Sequence, residues 1–174
     1  MDELLKAIQF ANTKHEGQVR RGTNLPYISH PVAVSYLVAA YKGRSKKLKE
    51  LLIAAVLHDC LEDTDTRFEE LVAQFGPLVA SLVLELTNDK EQVQKMGKLE
   101  YQTKKLLGMS SYALVIKLAD RLHNISDQPL PKMLDNTMTL MARLREGRKL
   151  SRSQVALVEA IEAVCQEKKK KSAA

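Results

Sequence analysis

The stretch at residues 51–64, LLIAAVLHDCLEDT, constrains this chain more than any other. Seven apolar residues run straight into a group made of His58, Asp59, Glu62 and Asp63. A helix returns to the same face every three to four positions. An unbroken helix here therefore sets His58 over Glu62 and brings Asp59 near both Glu62 and Asp63. The apolar half has to be buried on most sides, so the polar end emerges from a core with little freedom to move. Three carboxylates in that space repel one another. A divalent cation offsets the repulsion and lets all three stay ionised.

The rest of the chain supplies a helical setting for this stretch. Its 174 residues are enough for one domain with a full core. Leu, Ala, Lys, Glu, Gln, Met and Arg dominate, while Gly (7) and Pro (5) are few, which favours helix throughout. Asp2, Leu4, Leu5, Ile8, Phe10 and Ala11 open a first helix that reaches His15. Gly17, Gly22, Asn24 and Pro26 then punctuate a loop that carries Arg20 and Arg21. Pro31 suits the first turn of a second helix running to about Tyr41, with His30 at its entrance. A basic connector fills 42–49. Beyond the central stretch, helices are expected over 68–75, 78–86, 92–107, 112–125, 132–147 and 151–168. No segment has the strict alternation of a half-buried strand. The expectation is an all-α chain: one compact helical domain over 1–167 and a basic tail over 168–174.

Charge and cysteine usage narrow the partners. Four of the net +6 charges come from Lys168, Lys169, Lys170 and Lys171. No aromatic or Gly-Arg interleaving accompanies them, so a solvated, frayed tail is expected rather than a nucleic-acid tether. No apolar run approaches the roughly 20 residues that cross a bilayer. The N-terminus does not read as a signal peptide. Cys60 and Cys165 share no metal spacing, and both are expected as reduced thiols of a cytoplasmic protein. Oligomeric state leaves no trace in the sequence.

Imidazole and carboxylate recur at helix ends: His30, His58-Asp59 and Asp120. That donor set suits borderline to hard divalent ions such as manganese, iron, zinc or magnesium, with positions left open for water or a phosphate oxygen. In YALVIKLADRLHNI, Val115, Leu118, Ala119, Leu122 and Ile125 form one apolar face, while Asp120 and Asn124 lie one turn apart on another. Each element also has a plainer reading. His30 before Pro31 suits a packed side chain, Asp120 beside Arg121 a surface ion pair, and Asn124 a helix C-cap. Tyr27 and the Met-rich segment at 132–141 suit a pocket lining or, for the methionines, core.

Four blocks taken together carry a resemblance. His30-Pro31, His58-Asp59 and Asp120 look like the H…HD…D signature of the HD-domain metal-dependent phosphohydrolases. QVRRGTNLPYISHP, VLHDCLEDT, FGPLVASLVLELTNDK and KLADRLHNI resemble, in order and spacing, the hydrolase domain of the RelA/SpoT alarmone enzymes. The resemblance covers roughly residues 1–128 and implies a small alarmone hydrolase. It implies that His30, His58, Asp59 and Asp120 hold one manganese ion, and that Glu62 and Asp63 orient and deprotonate the attacking water. It also implies that Arg20, Arg21 and Asn124 contact the nucleotide. Arg21 stands where the family usually has Lys, which keeps the charge but not the shape. Ser126 stands where the family often has Arg.

The chemistry so implied is release of pyrophosphate from the 3′ position of ppGpp or pppGpp. Glu62 or Asp63 takes a proton from water, and Arg20 and Arg21, with Lys95 and Lys98, offset polyphosphate charge. Two rival functions are compatible with the same residues. One is phosphate-ester hydrolysis on another nucleotide, such as NADPH or a nucleoside monophosphate. The other is a non-catalytic nucleotide-binding helical domain, which the intact ligand and acidic positions argue against.

Overall fold

The computed structural model describes residues 2–127 and 129–173. Among them there are helices and turns but no strand, and one isolated antiparallel bridge joins Val19 to Pro26. The all-α expectation holds. The chain divides into two units, Met1–Asn88 and Asp89–Ala174.

The first unit holds α1 (Asp2–Lys14), α2 (Ser29–Lys42), α3 (Leu48–Leu57), α4 (Cys60–Asp63), α5 (Phe68–Phe75) and α6 (Pro77–Leu86). Helix α3 is its centre, and α1, α2 and α6 all pack against it. Leu51 and Ile53 to Leu57 are buried, as a helix surrounded on most sides requires. Ala7 and Ala11 are the buried face of α1, and their small side chains let it approach closely. Val34 and Val38 do the same office for α2 with larger groups. Burying each Leu or Val contributes about 1.5–3 kcal/mol. The buried run of α3 ends at Leu57, where the polar residues begin.

The second unit holds α7 (Lys90–Met96), α8 (Lys98–Gly108), α9 (Ser111–Ser126), α10 (Pro131–Gly147) and α11 (Arg152–Ala173). Helix α9 packs along α11, and α10 packs against α8 and α11. Val115, Leu118, Ala119, Leu122 and Ile125 are all buried, as their spacing predicts. Met141 is core, fully buried between Leu140 and Leu144 of the same helix face.

Two expectations are corrected. The helix expected over 92–107 is two helices, because Gly97 sits at φ +83° and ψ 149° and no helix passes through that conformation. The basic tail is not frayed over Lys168, Lys169, Lys170 and Lys171, since α11 runs through them. Lysines near a helix C-terminus complement its dipole. Here Lys168 also donates to the carbonyls of Ser126 and Asp127 at the end of α9. Lys169 pairs with Asp135, and Lys171 with Glu167 one turn earlier.

A candidate metal centre and its carboxylates

The packing of α2 on α3 brings together two imidazoles far apart in sequence. His30 lies in the first turn of α2, where Pro31 needs no backbone partner. His58 follows the last residue of α3. Both are 1% exposed. Their ring centroids are 5.2 Å apart at 66°. Asp59 joins them. Its Oδ2 lies 3.0 Å from His58 Nε2 and 3.8 Å from His30 Nε2. The Tyr27 hydroxyl donates to the same oxygen at 2.5 Å.

The protonation pattern can be read from the partners. His58 Nδ1 lies 2.8 Å from the Ala55 carbonyl oxygen, which only accepts, so Nδ1 carries a hydrogen. In the neutral ring Nε2 is then a lone pair. A lone pair and a carboxylate oxygen at 3.0 Å are two acceptors face to face. A proton or a cation between them removes the conflict. Imidazole nitrogen with carboxylate oxygen is a fitting donor set for a divalent ion, and a ring fixed through its other nitrogen is the usual arrangement for a ligand.

The helix over 51–64 is not continuous. It breaks after Leu57 into a turn at His58 and Asp59, and α4 begins at Cys60. The Ala55 carbonyl, in the last turn of α3, is engaged by the His58 ring. The break changes the face of every later residue. His58 and Asp59 lie in the turn between the two helices, and Glu62 and Asp63 lie in α4. Asp59 turns to the imidazoles. The Glu62 carboxylate accepts from the Asn88 backbone N–H at 2.9 Å and from the Asn88 amide at 3.0 and 3.1 Å. Asp63 is exposed. Asn88 was not singled out as a site residue by sequence reasoning. Its signal was the polar Thr-Asn-Asp that ends the apolar run of α6.

Arg20 and Arg21 lie in a hairpin closed by the Val19–Pro26 bridge, with the Arg20 N–H donating to Leu25 O at 2.8 Å. Gly22, at φ +75°, makes the tight return. Arg21 is exposed and Arg20 half-buried.

In the second unit, Asp120 is buried on α9. Asn124, one turn on, donates to its Oδ1 at 2.5 Å, which accounts for Asn124 as a partner of Asp120 rather than a cap. Lys117 Nζ lies 3.0 Å from its Oδ2. Lys117 is thus an ion-pair partner of Asp120. Arg121 is itself half-buried, and burial pushes its pKa down. It donates to Gln102 Oε1 at 3.1 Å.

Two buried imidazoles and a carboxylate meet at a helix break, and their donor atoms are of a kind that could hold a divalent cation. The chain belongs to the HD domain family, whose model matches residues 7–146 and so runs through both units. It is 38% identical over 125 residues to a zebrafish (Danio rerio) protein, covering 71% of this chain and 68% of that one. That relative is named guanosine-3′,5′-bis(diphosphate) 3′-pyrophosphohydrolase MESH1. An Aquifex aeolicus guanosine-3′,5′-bis(diphosphate) 3′-pyrophosphohydrolase is 37% identical over 158 residues, or 82% of this chain. The match spans only 21% of that longer protein. A solved structure described as a metazoan ortholog of SpoT that hydrolyses ppGpp superposes with a TM-score of 0.79 at 27% identity. It covers 97% of this chain and 96% of that one.

Proposed function

We propose that this chain hydrolyses guanosine 3′,5′-bis(diphosphate), and its pentaphosphate counterpart, at the 3′ position to release pyrophosphate. The observation that carries the reading is the convergence of His30 and His58 on Asp59 Oδ2, at 3.8 and 3.0 Å. Its relatives' names supply the substrate class. We further propose that the two units work as one HD-type domain over 1–167, and that the ion is manganese. Its ligands are then His30, His58, Asp59 and, from α9, Asp120. All but Asp59 are buried, and each of those three offers a nitrogen or carboxylate oxygen suited to a divalent ion.

When bound, such an ion lowers the pKa of water and screens phosphate charge. The chain's own residues do the rest. Asn88 fixes the Glu62 carboxylate through its backbone N–H and its amide nitrogen, so the remaining lone pairs have a set direction. Glu62 and Asp63 orient the attacking water and take its proton. The water oxygen bonds to the phosphorus on the ribose 3′ oxygen. That phosphorus–oxygen bond breaks, and the 3′ oxygen takes up a proton. Arg20 and Arg21 offset charge on the polyphosphate. Asn124 holds the nucleotide.

A panel of nucleotides with Mn²⁺ tests the reading. Pyrophosphate released from guanosine 3′,5′-bis(diphosphate) is the expected result. Orthophosphate released from NADPH alone overturns the substrate, and no turnover of any nucleotide overturns the enzyme.

A further inference from the structure

A second polar chain in the first unit lies beside the His30–His58–Asp59 cluster, and its His15 and Gln18 take no part in the chemistry above. His15 is 3% exposed, immediately after α1. Its Nδ1 lies 2.9 Å from Gln18 Oε1, and its Nε2 lies 3.8 Å from Cys60 Sγ. The Gln18 amide nitrogen in turn donates to the Asp63 carbonyl at 3.0 Å. One consistent set of donors satisfies all three contacts. The Asp63 carbonyl only accepts, so it fixes the face of the Gln18 amide. Gln18 Oε1 then requires a hydrogen on His15 Nδ1, which leaves Nε2 of the neutral ring as an acceptor for the Cys60 thiol.

The two ends of this chain join different parts of the site. Gln18 is the first leg of the Arg20–Arg21 hairpin, and its backbone carbonyl accepts from the Tyr27 N–H at 3.0 Å across the hairpin. Cys60 and Asp63 are the first and last residues of α4, on which Glu62 lies. The His15 ring also lies against that of Tyr27, with centroids 4.7 Å apart. The hairpin is thereby held on one leg by Gln18 and on the other by Tyr27, whose hydroxyl reaches Asp59.

We propose that His15 and Gln18 are positioning residues that lock the Arg20–Arg21 hairpin to the α4 turn, setting the spacing between phosphate-binding arginines and water-activating carboxylates. This rests on the roles given above to Arg20, Arg21, Glu62 and Asp63. Gln18 touches neither cation ligand nor phosphate in this scheme, and acts through Asp63 and the hairpin. Losing it leaves the Asp63 carbonyl and the His15 Nδ1–H without their partner, about one hydrogen bond's worth at each end.

The test compares the full chain with Gln18→Leu, His15→Leu and His15→Asn. Asn places an amide nitrogen where Nδ1 stood, so it keeps the donor to Gln18. Three readouts are taken: kcat and KM for guanosine 3′,5′-bis(diphosphate), Mn²⁺ affinity by calorimetry, and hydrogen exchange of the Arg20 and Tyr27 amides. Gln18→Leu is expected to raise KM and speed exchange of both amides by about tenfold each, with Mn²⁺ affinity unchanged. His15→Asn is expected to restore most of what His15→Leu loses. Unchanged exchange and KM in Gln18→Leu overturn the proposal, as does a loss of Mn²⁺ affinity in step with KM. If His15→Leu does not fold, Gln18→Leu decides alone. If the parent chain does not hydrolyse the nucleotide, the proposed function fails, and amide exchange still decides whether Gln18 holds the hairpin.

Discussion

Asp59 Oδ2 is the atom on which three side chains meet, and its neighbours divide the labour sharply. Two imidazoles and one phenol face Asp59, while the amide and backbone of Asn88 face Glu62. The two carboxylates are therefore separable by mutation. Glu62→Gln is expected to keep Mn²⁺ affinity and lose roughly 10²- to 10⁴-fold in kcat, the size of a general-base contribution. Calorimetry and steady-state rates on the same preparation check it. Cys60, between them in sequence, is expected to be inert for a different reason. Burial raises its thiol from an ordinary 9.0 to about 12, and only the thiolate is nucleophilic. Iodoacetamide at pH 8 should label it only after unfolding, which mass spectrometry reads directly. The sign of its pH effect follows. The unfolded chain loses this proton near pH 9 and the folded one near 12. Its contribution to stability is thus whole below pH 9 and is lost as pH rises from 9 to 12.

At the scale of elements, period alone located most helices. Helix α3 was readable as an apolar run buried on most sides, and one face of α9 by the helical spacing of Val115, Leu118, Ala119, Leu122 and Ile125. The two interruptions were not. At the α3–α4 break a side-chain ring engages a backbone carbonyl, a contact that no hydrophobic pattern records. Across it, Asp59 lies beside the histidines and Glu62 beside Asn88. The α7–α8 break depends on one backbone conformation at Gly97. Gly97→Ala is expected to destabilise by about 1–3 kcal/mol, since φ +83° with an extended ψ is nearly closed to other residues. Urea denaturation measures it. A stability equal to that of the parent contradicts the account of this break. The candidate ligands were legible as residue types at helix ends. Their supporting partners, Tyr27, Asn88, His15 and Gln18, were not, because they act through contacts made across the fold rather than through spacing along the chain.

At the scale of the molecule, one claim joins the parts: segments distant in sequence supply the ligands of a single cation that makes hydrolysis of the nucleotide possible. Treatment with a chelator is expected to abolish turnover, and Mn²⁺ to restore it. The same claim is tested most directly by titrating Mn²⁺ into the metal-free parent and into His30→Ala, His58→Ala, Asp59→Ala and Asp120→Ala, with turnover measured alongside. The account predicts one tight ion per parent chain, and joint loss of that ion and of pyrophosphate release in every variant. A variant that binds the ion and releases pyrophosphate as the parent does would contradict it.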